Sequence, residues 1–178
     1  MAIKLVPDLI VADIHDITPS LLIDNNIRGV MVDLDNTLAC YDEREPGDDT
    51  IEWVKSICDS GIKLGIISNN KQERVEQFNA KLGLQFNAAR ANKPFKRGYI
   101  EVARKMGLNH NRIAVVGDQI FTDVLGGNNV GMYTIMITSK SRTWNKLLAM
   151  RRMLEMPFIK QYERKRNKMK RMKPKTGV

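Results

Sequence analysis

Between residues 28 and 138 short apolar, β-rich runs alternate with helical patterns of ten residues or so, and this alternation leaves few folds open. Gly29-Val30-Met31-Val32 runs straight into Asp33-Leu34-Asp35 and reads as a buried strand that ends in acids. Further strands are expected at 62–67, 112–116 and 132–137. Helices are expected between them. The first, 50–60, has Ile51, Val54 and Ile57/Cys58 at helical spacing, and the second, 70–82, has Val75, Phe78 and Leu82. The third, 95–106, turns Ile100, Ala103 and Met106 inward, and the fourth covers 120–128. Gly61, Gly83 and Gly107 supply stop signals for the first three. Continuous apolar strands separated by helices predict βαβ units: an α/β fold of three layers, with a parallel sheet covered on both faces. Right-handed crossovers then set the C-terminal strand ends along one edge, where ligands bind.

Outside that stretch, residues 1–27 read as a helical or irregular lead-in packed on a core of residues 28–139, with Thr18-Pro19-Ser20 as a helix start. Residues 140–178 read as a basic helical tail, broken at Pro157 into helices over 141–155 and 158–173. A chain of 178 residues with 43% apolar content can close one core, which excludes a disordered polypeptide. Two cysteines, Cys40 and Cys58, cannot build a disulfide framework, and two separated histidines argue against a zinc cluster. No apolar run approaches the roughly 20 residues that span a bilayer. Asp8, Asp13 and Asp16 interrupt any signal-peptide pattern, so the expected location is cytoplasmic. The net charge of +9 is lopsided: residues 140–178 carry 14 Lys or Arg against 2 Glu, while residues 1–139 carry a net −3.

Candidate chemistry falls just after the expected strands. Asp33 and Asp35, two apart, would share a face of a continuing strand, and carboxylates so crowded repel unless a cation lies between them. Asp118 reaches the same edge from another strand, while Lys93 and the Ser68 hydroxyl bring donors for an anionic oxygen. Acids, Mg²⁺, Lys and Ser together form an inventory for phosphoryl transfer. In this reading Asp33 is the nucleophile and forms an aspartyl-phosphate, and Asp35 donates a proton to the leaving alkoxide before taking one from water. Asp33 and Asp118 hold Mg²⁺ with a main-chain carbonyl at Asp35, Ser68 and Lys93 bind phosphoryl oxygens, and Asp123 orients the lysine or a water from behind.

The ordered set Asp33-x-Asp-x-Thr37, Ser68, Lys93 and Gly-Asp118-x-x-x-x-Asp123 resembles the four motifs of haloacid-dehalogenase-type (HAD) phosphatases. Leu5-Val6-Pro7-Asp8, Asp16-Ile17-Thr18-Pro19, Asp33 to Leu38, Ser68-Asn69-Asn70, Lys93-Pro94 and Gly117 to Gly127 are similar to its YqeG-like, type IIIA branch, over residues 5 to about 138. The resemblance implies a Rossmann-like HAD core and Mg²⁺ dependence. It adds Asn69 to the phosphate-binding group and sets Thr37 with Asp123 behind the acids. A fungal mitochondrial relative of the branch dephosphorylates phosphatidylglycerophosphate, which makes that lipid the leading substrate by analogy.

Spacing adds an independent point. Asp33 to Ser68 is 35 positions, and Ser68 to Lys93 and Lys93 to Asp118 are 25 each, room for one helix and one strand but no separate cap domain. An uncapped site suits a phosphate displayed on something large: a lipid head group, a protein or a nucleic acid. Each motif also has a plain structural reading. Asn36 could serve a turn, Ser68-Asn69-Asn70 an N-cap, and Lys93 an ordinary surface position. The ordered set outweighs them. In the tail, Trp144, Leu147, Leu148, Met150, Met153 and Leu154 form an apolar side among basic residues, and Phe158, Tyr162, Met169 and Met172 follow. A basic amphipathic helix fits peripheral contact with the inner face of an anionic membrane, the same composition fits RNA, and the membrane is the reading preferred. The expected activity is a Mg²⁺-dependent phosphomonoester hydrolase. The alternatives are an RNA- or ribosome-associated HAD-fold binding protein and a phosphatase of proteins or nucleotides.

Overall fold

In the computed structural model, residues 4–138 and 146–172 are described. The strands are β1 (Leu9–Val11), β2 (Gly29–Val32), β3 (Lys63–Ile67), β4 (Phe86–Ala88), β5 (Ile113–Gly117) and β6 (Tyr133–Ile137). The helices are α1 (Pro19–Asp24), α2 (Asp48–Asp59), α3 (Gln72–Leu82), α4 (Lys96–Met106), α5 (Leu125–Val130) and α6 (Lys146–Met172). All six strands join one sheet in the order β1-β6-β5-β2-β3-β4, and every neighbouring pair is parallel.

The central strand shows why these residues make this architecture. All four residues of β2 are buried, and their side chains alternate between the two faces. Val30 and Val32 join the cluster of Trp53, Val54 and Ile57 from α2 and Val75 and Phe78 from α3. Met31 joins the opposite cluster with Tyr99, Val102, Ala103 and Met106 from α4. A strand that must be apolar on both sides reads as a continuous apolar run, which is what made it visible in the sequence. Strand order reverses between β2 and β5, and that reversal opens a crevice at their C-terminal ends.

Local signals act where expected. The Thr18 side chain accepts from the Leu21 N–H, with Pro19 opening α1. Gly83 and Gly107 close α3 and α4 at φ 64° and 63°, a region that favours glycine. Among the described residues only α2 lies between β2 and β3, only α3 between β3 and β4, and α4 with a short 3₁₀ turn between β4 and β5. No cap is inserted there.

Four expectations are corrected. The lead-in holds a strand: β1 pairs with β6, and its entry is tied down by Thr134, whose N–H and hydroxyl both donate to Asp8 Oδ2. Likewise β4 was not foreseen. Both are three-residue edge strands, too short to display a period, and they pair because a longer neighbour presents a free edge. In α4 the inward face is Tyr99, Val102, Ala103 and Met106, while Ile100 is 44% exposed, one step round the helix from Tyr99. Finally, α6 runs unbroken from Lys146 to Met172 with Pro157 inside it. The Met, Leu, Lys, Arg and Glu on either side are strong helix formers and outweigh one lost hydrogen bond. Trp144, with the expected helix start at 141–145 and its end at 173, lies outside the described residues.

The chain divides into two units, residues 1–142 and 143–178. In the second, Met150, Met153 and Leu154 are exposed. No helix among the described residues is long and apolar enough to cross a membrane.

Candidate active site

Asp33 follows β2, Ser68 follows β3 and Asp118 follows β5, so three adjacent parallel strands deliver them to one edge. The Asp33 N–H donates to Val116 O, which continues the β2–β5 ladder to the site itself. Lys93 arrives from the loop before α4, joined to Pro94 by a cis peptide. Its ammonium is 2.7 Å from Asp33 Oδ1 and 2.7 Å from Asp123 Oδ1, and its side chain is 2% exposed. Asp33 Oδ1 also accepts from the Leu34 N–H at 2.8 Å.

Asp123 sits in a turn of π-helix, Ile120–Val124, a local widening that recurs at functional sites. Gln119 N–H and the Thr122 hydroxyl donate to its Oδ2. Gly117 has a specific reason to be glycine, because a Cβ there would occupy the space of the Asp123 carboxyl group.

Asp33, Asp118 and Asp123 are all buried, and each offers a carboxylate oxygen within 4.8 Å of the others. Among the described residues, three buried acids gather with one buried ammonium, which pairs with Asp33 and Asp123, so the cluster carries more acidic than basic groups. Burial, helped by Asp123 and opposed by Lys93, pushes the Asp33 carboxyl up to about 7. Burial works against the Lys93 charge too, but Asp123 and Asp33 outweigh it and hold the ammonium above the usual lysine range. Tyr99, donating its hydroxyl to Thr122 O at 3.0 Å, is likewise driven up by burial beside the same acids. An oxygen-only donor set with more acidic than basic groups fits a hard divalent cation.

The remaining candidates lie close by but are engaged differently. The Asp35 carboxylate is absent from that cluster: Asn70 Nδ2 donates to its Oδ2 at 2.9 Å and Arg74 Nη2 to its Oδ1 at 3.2 Å. Asp123, expected to orient the lysine from behind the acids, meets the Lys93 ammonium at 2.7 Å and also offers an oxygen within 4.8 Å of the other two acids. Ser68, 2% exposed, accepts from the Asn70 N–H, and its own hydroxyl proton is left to donate. The Asn69 amide, expected to meet phosphate, uses both ends on Lys93: Oδ1 accepts from the Lys93 N–H and Nδ2 donates to its carbonyl. Local sequence cannot show that clamp, because it joins residues 24 apart. The Thr37 hydroxyl oxygen is buried without a hydrogen-bond partner. Arg74 and Tyr99 carried no signal in the sequence. Each looked like one more residue of an amphipathic helix.

A parallel sheet of this order, with its acids, lysine and serine gathered where the order reverses, defines a phosphoric monoester hydrolase of the HAD type. The solved structures it resembles agree on the fold. These include the 3-deoxy-D-manno-octulosonate 8-phosphate phosphatase of Yersinia pestis (TM-score 0.52, 17% identity, 67% of this chain and 69% of that one). A hypothetical protein of Xanthomonas campestris gives TM-score 0.54, 19% identity and coverage of 67% and 72%. The profile of the family described as mitochondrial PGP phosphatase matches residues 2–140, and the chain belongs to that family. It is 36% identical over 159 residues to the "Probable phosphatase YqeG" of Bacillus subtilis, covering 89% of this chain and 92% of the relative. It is 27% identical to "Phosphatidylglycerophosphate phosphatase 1, chloroplastic/mitochondrial" of Arabidopsis thaliana over 89% of its length, spanning 48% of that protein.

Proposed function

We propose that this phosphatase is Mg²⁺-dependent, works through an aspartyl-phosphate on Asp33 and takes phosphatidylglycerophosphate as its substrate. The observation that carries the reading is the Lys93 ammonium, buried between Asp33 and Asp123 beside Asp118. Asp33, Asp118 and Asp123 would hold the cation with a main-chain carbonyl at Asp35, and when bound it supplies positive charge that offsets the acids and the incoming dianion. Lys93 and the Ser68 hydroxyl meet phosphoryl oxygens, which lets the Asp33 carboxylate approach phosphorus in line. Asn69 acts on the phosphate through Lys93, whose main chain it fixes. Asp35 hands its proton to the departing alkoxide and later takes one from the attacking water.

A large substrate is favoured by the uncapped edge, and a lipid by the family match and the named activity of the Arabidopsis relative. The exposed Met150, Met153 and Leu154 on α6 are followed along the helix by Lys160, Arg164, Lys165 and Lys168. That order suits apolar insertion beside anionic head groups and peripheral contact with the membrane that displays the substrate.

Asp33→Asn is expected to cut turnover of p-nitrophenyl phosphate on the order of 10⁴-fold or more, the scale on which loss of a nucleophile acts, with an unchanged circular dichroism spectrum. Retained turnover in that variant removes Asp33 from its role. Liposomes containing phosphatidylglycerophosphate should release inorganic phosphate when Mg²⁺ is added. No release there, with turnover of nucleotide, sugar or peptide phosphates, discards the lipid.

A further inference from the structure

Arg74 lies in the first turn of α3, where the unpaired N–H groups of the helix start make a positive side chain unfavourable. Its side chain is only 15% exposed, and its Nη1 is buried with no hydrogen-bond acceptor. Both facts cost free energy, and neither would arise if the guanidinium simply reached solvent. Its guanidinium lies over the Phe78 ring, with Cζ 5.5 Å from the ring centroid, a cation–π contact made within its own helix. What it gains there is one carboxylate: Nη2 donates to Asp35 Oδ1 at 3.2 Å.

Asn70 completes the arrangement from the other side. Its Nδ2 donates to Asp35 Oδ2 at 2.9 Å, its Oδ1 accepts from the Lys71 N–H at 2.7 Å and its carbonyl accepts from the Arg90 N–H at 2.9 Å. Both oxygens of Asp35 are therefore held by donors that are themselves locked. The next residue, Asn36, has φ 60°, so the chain turns sharply just where the carboxylate must be aimed.

We infer that Arg74, with Asn70, is a positioning residue that orients Asp35 for proton transfer to the leaving group, an inference resting on the role given to Asp35 above. In the step concerned, an Asp33 oxygen bonds to phosphorus as the P–O bond to the alkoxide breaks. The electron pair of that bond stays on the alkoxide oxygen, which takes the Asp35 proton. Asp35 is left as a carboxylate facing the Asn70 and Arg74 donors. A nitrophenolate leaves without needing a proton, whereas a glycerol alkoxide does not. Arg74 and Asn70 therefore matter for alkyl esters and much less for p-nitrophenyl phosphate.

The experiment compares kcat/KM for sn-glycerol 3-phosphate and p-nitrophenyl phosphate in the full-length Mg²⁺-loaded enzyme, in wild type, Arg74→Met, Arg74→Lys and Asn70→Ala. General acid catalysis contributes about 10²–10⁴-fold, so Arg74→Met should lose roughly 10–100-fold on the alkyl ester and about threefold or less on the aryl ester. Arg74→Lys, which keeps the charge, should recover part of the loss. Placed on an Asp35→Asn background, Arg74→Met should cost little more, because two residues acting through one group are not additive. Equal losses on both esters, or a full additional loss in the double variant, overturn the inference. Asn70→Ala guards against misfolding of the arginine variants, since it reaches Asp35 without touching Phe78. Aryl turnover surviving in Asp33→Asn would sink the nucleophile assignment instead, an outcome read separately from the ratio of the two esters.

Discussion

The charges at the sheet edge and those on α6 belong to one chain but obey different physics. At the edge, Asp33, Asp118, Asp123 and Lys93 are all buried, and the lysine has defined partners at 2.7 Å. On α6, Lys160, Arg164, Lys165, Arg166 and Lys168 are exposed. Buried charges must be matched almost atom for atom, since desolvation is recovered only through near-ideal geometry. Exposed charges act together through water, over a Debye length of about 8 Å at physiological salt, and no one of them is essential. The first arrangement is specific and brittle. The second is diffuse and tolerant.

The sharpest way to break the edge is Lys93→Met, which leaves buried Asp33 and Asp123 without the ammonium they share. Removing one partner of a buried pair typically costs about 3–5 kcal/mol, and denaturant unfolding of the metal-free protein should show a loss of that size, partly reversed by a divalent cation. If stability were unchanged, the lysine would not be holding the acids together. On α6 no single change should matter much, so four reversals to Glu at Lys160, Arg164, Lys165 and Lys168 are needed. At about 1 kcal/mol for each basic residue near an anionic surface, vesicle binding should weaken by at least about a hundredfold, with p-nitrophenyl phosphate turnover preserved. Binding to RNA that falls while vesicle binding persists would reassign the surface.

Smaller tests sharpen the contrast. Gly117→Ala drives a methyl group into the Asp123 carboxylate and should cost about 1–3 kcal/mol by the same unfolding measurement, as overpacking does. A pH effect follows from Asp33 itself. Its carboxyl titrates near 3.8 when free of the fold and is pushed up to about 7 within it. Between those values the folded protein binds the extra proton, so metal-free stability falls as pH rises from about 4 to about 7 and levels off above. Melting in chelator should be higher at a pH of about 5 than at about 8, and Asp33→Asn should remove that component. A melting temperature that rises over the same interval, with the variant unchanged, would contradict it.

The two regions also differ in how far they could be read in advance. At the edge, the acids, Ser68 and Lys93 stood out because each follows an apolar strand or precedes a helix, and the sheet carried them to one place. Arg74, Tyr99 and the Asn69 clamp did not, since their partners are 39, 23 and 24 residues distant and no local period encodes such a pairing. On α6 the composition was plain. The continuity through Pro157 was not, because a proline rule weighs one hydrogen bond while the helix sums many.

What the sequence determined alone is therefore the part that repeats: two-sided apolar strands, helices ended by glycine, and the order in which chemical groups leave the strand ends. Burial on both faces forces that pattern, and it survives without any knowledge of neighbours. Tertiary structure decided the rest. It made edge strands of Leu9–Val11 and Phe86–Ala88, drew Asp123 in among the acids and turned Asp35 aside to Asn70 and Arg74. Those outcomes depend on which desolvated groups can find a partner once the layers close, and that is settled by packing in three dimensions.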